Sequence, residues 1–206
     1  MIKEYVYTLA TEPDRSSGFV MVEPIYHYQT YGFCAYLSRS VATKQPLGIT
    51  QGSPVGYRQV TVLNGLNGQN GKDINSFNYV FDITNAQNVL PLANRTSYEW
   101  KRGLLNSVES QNASGVTQKL MSNGYSFLDT EPTTSKWYKA MTVKSIGTTP
   151  QTTMDFYSGY EVISAWYYQN SEVTTDFDPN GQNGIVAVRD YFYENPAHAQ
   201  LTKIQQ

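Results

Sequence analysis

The run Tyr57-Arg58-Gln59-Val60-Thr61-Val62-Leu63 leads into Asn64-Gly65-Leu66-Asn67-Gly68-Gln69-Asn70-Gly71, and Ser76-Phe77-Asn78-Tyr79-Val80-Phe81-Asp82-Ile83 follows. The first run is rich in β-branched residues, which suit a pleated strand. Asn and Gly tolerate positive φ, so the middle segment reads as a long hairpin loop. In the last, Phe77, Tyr79, Phe81 and Ile83 alternate with Ser76, Asn78 and Asp82, with Val80 the exception. This period of two predicts a strand over 76–83 with one buried face, and Val60 and Val62 facing the same core from the paired strand.

The same grammar recurs outward in both directions. Asn112-Ala113-Ser114-Gly115 predicts a second hairpin between arms 104–111 and 116–127. A third joins 162–175 to 185–193 across the turn-forming residues 176–184. Residues 19–28 and 33–41 read as a further pair with Gly32 in the turn, and 138–146 as another strand. Helical signal is confined to Tyr98-Glu99-Trp100-Lys101-Arg102-Gly103, one turn stopped by glycine, and to weak propensity over 118–123. The expected fold is all-β: antiparallel hairpins stacked into an extended, twisted or spiralling sheet. Residues 1–206 read as one β-rich module, with a weak sub-boundary at 128–135, Leu-Asp-Thr-Glu-Pro-Thr-Thr-Ser.

The two ends carry related phrases. Lys3-Glu4-Tyr5-Val6-Tyr7 is echoed by Arg189-Asp190-Tyr191-Phe192-Tyr193, then Glu194-Asn195-Pro196 and Leu201-Thr202-Lys203-Ile204. Recurrence of this unit predicts a stretch of a longer, repetitive β-protein. It also predicts that at least one terminal strand lies at a sheet edge and promotes edge-to-edge self-association.

Composition narrows the function classes. Charged residues make up 16% and the net charge is -2, which disfavours a nucleic-acid binder. The 17 tyrosines suit half-buried strands, where the ring packs and the hydroxyl reaches water. No apolar run approaches the ~20 residues of a membrane span. Cys34 is the single cysteine, so no intrachain disulfide forms.

Motifs for chemistry are weak. Asp176-Phe177-Asp178-Pro179-Asn180-Gly181 has the D-x-D-x-N-G form of a calcium loop, but Ala187 stands where a bidentate acid is needed. Turn chemistry is the better reading, and no metal or cofactor is expected. The loop ending at Lys72 fails the phosphate-loop spacing at Leu66 and Asp73. His27, His198 and Cys34 are not brought together by any motif, so Cys34 reads as structural. Trp137 and Tyr138, and Trp166 and Tyr168, are candidate stacking platforms for sugar rings. The sequons Asn94-Arg95-Thr96 and Asn112-Ala113-Ser114 read as incidental.

Four stretches together resemble the large YD-repeat (Rhs-like) cell-surface and secreted proteins of Bacteroidetes-type bacteria. They are Gln45-Pro46-Leu47-Gly48 with Gln51-Gly52-Ser53-Pro54-Val55-Gly56-Tyr57-Arg58; Ser97-Tyr98-Glu99-Trp100-Lys101-Arg102-Gly103-Leu104-Leu105; Ala165-Trp166-Tyr167-Tyr168 leading to Asp178-Pro179-Asn180-Gly181; and the terminal motif of Tyr191, Tyr193, Asn195, Pro196 and Leu201. The chain departs from the ordinary repeat, with Glu194 where Asp is usual and no Gly-Arg pair in the tail, so it is similar to a divergent pre-repeat region. The resemblance implies a non-catalytic structural module that extends or seeds a β-shell, with neighbouring β-repeats as partners and a location outside the cell or on its surface. Two other readings stand beside it: a carbohydrate-binding module using exposed Trp and Tyr, with a glycan as partner, and a hydrolase whose acid pair assembles only in the fold.

Overall fold

The computed structural model describes residues 2–30, 36–43, 47–83, 92, 94–128, 135–149, 152–195 and 197–206; at 30, 36, 135, 136, 144–149, 152–154 and 156 it describes the backbone alone. In chain order the strands are β1 (Lys3–Val6), β2 (Thr8–Leu9), β3 (Glu12–Ser16), β4 (Gly18–Val20), β5 (His27–Thr30), β6 (Tyr36–Arg39), β7 (Val55–Tyr57) and β8 (Gln59–Asn64). Then follow β9 (Lys72–Phe77), β10 (Leu105–Gln111), β11 (Thr117–Phe127), β12 (Ser135–Thr149), β13 (Thr152–Ala165), β14 (Tyr167–Asp176), β15 (Ile185–Phe192) and β16 (Lys203–Gln205). Helical structure among the described residues is limited to two short 3₁₀ turns, Leu66–Gly68 and Glu99–Lys101. The protein is all-β and antiparallel.

Eight strands form the main sheet in the order β1-β8-β9-β10-β11-β14-β15-β16. The loop at 64–71 joins β8 to β9 as the Asn/Gly pattern predicts, with Leu63 opposite Lys72 and Gln59 opposite Ser76. Its left-handed positions fall on Gly65, Asn67, Gly68 and Gly71. Gly71 is also required sterically, because a Cβ there would lie 2.2 Å from the Gln111 carbonyl oxygen. At the β10–β11 turn the Asn112 carboxamide oxygen accepts hydrogen bonds from the Ser114 and Val116 amides, at 2.9 and 3.0 Å.

Between β11 and β14 the chain makes an excursion. Leu128 N donates to Trp166 O at 2.9 Å, and the hairpin of β12 (15 residues) and β13 (14 residues) stands between them as a separate two-stranded ribbon. At roughly 3.4 Å per residue it is about 50 Å long. It contains the strand expected over 138–146. The expected sub-boundary at 128–135 falls between main sheet and ribbon, though residues 129–134 of it lie outside the described set.

The strand expected over 76–83 is corrected. β9 ends at Phe77 because Asn78 turns to other partners: its amide donates to Leu104 O at 2.8 Å, its carbonyl accepts from Gly103 N at 3.0 Å, and its side chain donates to Lys101 O at 2.9 Å. Tyr79, Phe81 and Ile83 therefore leave the sheet, and all three are exposed, Phe81 by 52%. Tyr79 and Phe81 pack against Phe19, with ring centroids 6.1 and 6.3 Å away. The buried face of the hairpin carries the directly opposed pair Thr61 and Ile74. Val60 and Val62 lie opposite Asn75 and Asp73 on the other face. That face also carries Asp73, which accepts from Asn64 and Ser110 at 3.0 and 2.6 Å.

A smaller expectation shifts as well: within 19–28 and 33–41, only β5 and β6 pair with each other, while β4 pairs with β7; Gly32 and Cys34 lie outside the described residues. Residues 118–123 belong to the hairpin arm expected over 116–127 and are strand, held on both sides by β10 and β14.

Among the described residues the buried apolar side chains are Met21, Val22 and Ile74, in the company of Ser17, Thr50, Thr61, Thr96 and Arg102.

Candidate functional site

One end of the main sheet is aromatic on both faces. On one face Phe127 lies directly opposite Tyr167, their rings stacked at 6.1 Å. The turn Glu99–Lys101, closed by Gly103 at φ +72°, lays Trp100 over both, 6.0 Å from Phe127 and 6.2 Å from Tyr167. Lys101 Nζ sits 5.1 Å from the Trp100 and Phe127 ring centres, close enough for cation–π attraction. Beside them Tyr125 donates to Leu105 O at 3.0 Å, and burial raises its phenol pKa.

Next to this cluster, between the Glu99–Lys101 turn and β13, is an open cleft of about 540 Å³. Trp100 and Tyr167 form its aromatic wall, with Val162 and Ile163 beside them; Gln51, Arg95, Ser97, Glu99 and Glu161 supply polar groups. These come from segments far apart in sequence. Gln51 is tied to the turn by its amide, which donates to Arg102 O at 2.8 Å, and Glu99 Oε1 accepts from Gly52 N at 3.3 Å. Thr96 Oγ1 accepts from the Glu161 amide at 3.0 Å and so docks the ribbon. Arg95 donates to Glu23 O at 3.5 Å; burial lowers its pKa, against the opposing pull of the Asp82 charge. The Trp100 indole N–H is buried without an acceptor among the described residues.

No protein-family model, curated protein or solved structure matches this chain.

The residues picked from sequence are dispersed. Trp166 and Tyr168 come together on the sheet face opposite Tyr167, with rings 4.8 Å apart, but Tyr193 packs on both, 5.5 and 4.6 Å away. The Trp166 and Tyr193 planes are inclined by 82°, so the trio is a packed cluster more than a flat platform. Trp137 and Tyr138 are neighbours on β12, opposite Ile163 and Val162, and strand alternation sends them to opposite faces of the ribbon. In the terminal motif, Tyr191 pairs with Ile204, Asn195 Oδ1 accepts from Ala197 N at 2.9 Å, and Leu201 is exposed; Pro196 lies outside the described residues.

The D-x-D-x-N-G segment uses its carboxylate internally. Asp178 accepts from the amides of Asn180 and Gln182 at 2.9 Å and from the Asn183 side chain at 2.7 Å, and these bonds lower its pKa. Asp176 instead faces Lys119 across the strands at 3.6 Å. His27 belongs to β5, and His198 Nδ1 accepts from Gln200 N at 3.2 Å. No group of metal-ligating side chains gathers among the described residues, and none of their helices is long and apolar enough to cross a membrane.

The second notable feature is backbone. β1 ends the sheet on one side. On the other, β16 pairs with Asp190–Phe192, so, among the described residues, 185–189 have β14 as their single strand neighbour. Ile185, Val186 and Val188 are exposed there, Ile185 by 75%. An uninterrupted apolar run is what a strand covered on both faces carries.

Proposed function

We propose that this chain is a non-catalytic structural module of a large surface or secreted protein of the YD-repeat type, a segment that extends a β-shell. In this reading β1 and the outer part of β15 are joints at which neighbouring β-repeats continue the sheet.

Support comes from the strand edges: β1 and residues 185–189 of β15 offer backbone hydrogen bonds, the latter along the exposed apolar residues Ile185, Val186 and Val188. Sheets extended unit by unit satisfy each new edge from the next unit.

The test is sedimentation velocity with amide hydrogen exchange on this chain from micromolar to millimolar concentration. The expected result is concentration-dependent association that slows exchange at 3–6 and 185–189. A chain that stays monomeric at millimolar concentration, with those amides already protected, overturns the reading.

A further inference from the structure

We infer that the cleft between the Glu99–Lys101 turn and β13 binds a neutral polyhydroxylated ring, a sugar unit of an oligosaccharide. This site is distinct from the Trp137, Tyr138, Trp166 and Tyr168 platforms expected from sequence, and it stands apart from the scaffold reading. Its volume of about 540 Å³ lies in the ~300–1,000 Å³ range of small-molecule sites.

The wall chemistry selects the ligand class. Glu99 and Glu161 offer carboxylate acceptors and Arg95 a donor, while Trp100 and Tyr167 offer aromatic surface. Two acidic groups against one basic group disfavour an anion. A cation would approach an aromatic wall where Lys101 Nζ already lies 5.1 Å from the Trp100 ring centre and where Arg95 repels it. A purely apolar ligand would strip water from Glu99, Glu161 and Arg95 and return no hydrogen bonds.

A sugar ring meets all three demands. Its hydroxyls donate to the carboxylates and accept from Arg95, and its C–H face lies on aromatic carbon. The cleft is open along the surface, which fits a unit within a chain better than an isolated monosaccharide. The Glu99 carboxylate is held by the Gly52 amide at 3.3 Å, and the backbone of Glu161 is anchored by its own amide to Thr96 Oγ1 at 3.0 Å.

The experiment is isothermal titration calorimetry, with tryptophan fluorescence as a second readout, against maltohexaose, cellohexaose, mannohexaose and chitohexaose; choline and citrate serve as cation and anion probes. At least one hexasaccharide is expected to bind saturably and to be recovered uncleaved. Glu161→Gln and Glu99→Gln keep side-chain shape and are each expected to weaken that binding about tenfold. Ile185→Ala, exposed and paired with Asp176 at the end of β14 remote from Tyr167, is expected to leave it unchanged. The inference is overturned if no hexasaccharide binds, if choline or citrate binds in preference, or if both carboxamide variants bind with undiminished affinity and unchanged melting temperature. Cleavage of the bound hexasaccharide overturns the assignment of a binding site without catalysis.

Discussion

Arg102, whose side chain is fully buried, forms an ion pair with Asp82, which is 5% exposed. The guanidinium also donates to Val80 O at 3.3 Å and to Ile49 O at 2.5 Å, and Asp82 accepts from Tyr98 N at 2.9 Å. One buried pair thus ties residues 49, 80–82 and 98–102 together and positions the turn that carries Trp100. Burying two charges is costly, and their mutual attraction offsets that cost only while both are present. Arg102→Ala is expected to destabilise the fold by about 3–5 kcal/mol, because it leaves an uncompensated buried carboxylate. The double variant Arg102→Met, Asp82→Leu is expected to recover part of the loss. Urea unfolding of Arg102→Ala and of the double variant checks both statements.

Ile74 and Phe81 separate the observed packing from the alternation in the sequence. Ile74→Ala removes a buried side chain opposite Thr61 and is expected to cost about 2–5 kcal/mol. Phe81 is half exposed, so Phe81→Ala is expected to cost only about 1 kcal/mol. Equilibrium denaturation of the two variants gives the comparison, and a larger loss for Phe81 would place the core on the wrong face.

Glu109 carries a pH dependence. Hydrogen bonds from Thr117 and then Gln111 lower its pKa in the folded state. A depressed carboxyl pKa contributes stability above the unfolded-state value of roughly 4.3, and that contribution disappears as pH falls through the lower folded value. Stability is therefore expected to decline on acidification below about pH 4. Thr117→Val removes the hydrogen bond that lowers the Glu109 pKa most, so that pKa rises toward its ordinary value and the acid-induced loss shrinks. Carboxyl NMR titration of both proteins, with denaturation at a series of pH values, tests this.

The open edge of β15 makes a separate prediction. A lysine directed into a would-be strand pairing is a common obstacle to edge-to-edge association. Val186→Lys and Val188→Lys lie on exposed positions, so each is expected to suppress association while changing stability by no more than about 0.5 kcal/mol. Phe192→Lys, within the stretch covered by β16, is expected to have less effect on association. Sedimentation velocity distinguishes the three.

Local order was legible in the residues themselves. The hairpins at 64–71, 112–115 and 176–184 follow from Asn, Gly and Asp placed between period-2 runs, and strand pairing across a short loop needs no information from elsewhere. The glycine-stopped turn at 98–103 was legible for the same reason. Tyr167 carried a signal as well, since alternation places it opposite in face to Trp166 and Tyr168, and the ring contacts follow that division.

Tertiary structure decided what depends on distant partners. Alternation over 76–83 predicted one long strand, but Asn78 found Lys101, Gly103 and Leu104, so the chain left the sheet after Phe77. Periodicity identifies two faces of a strand without saying which one is covered; that choice fell to Thr61 and Ile74 once Asp73 was held by Asn64 and Ser110. The Arg102–Asp82 pair and the cleft residues Gln51, Arg95, Glu99 and Glu161 are brought together from segments far apart in the chain. Short-range conformational preference is written in neighbouring residues, whereas burial and charge pairing belong to contacts that the linear chain does not contain.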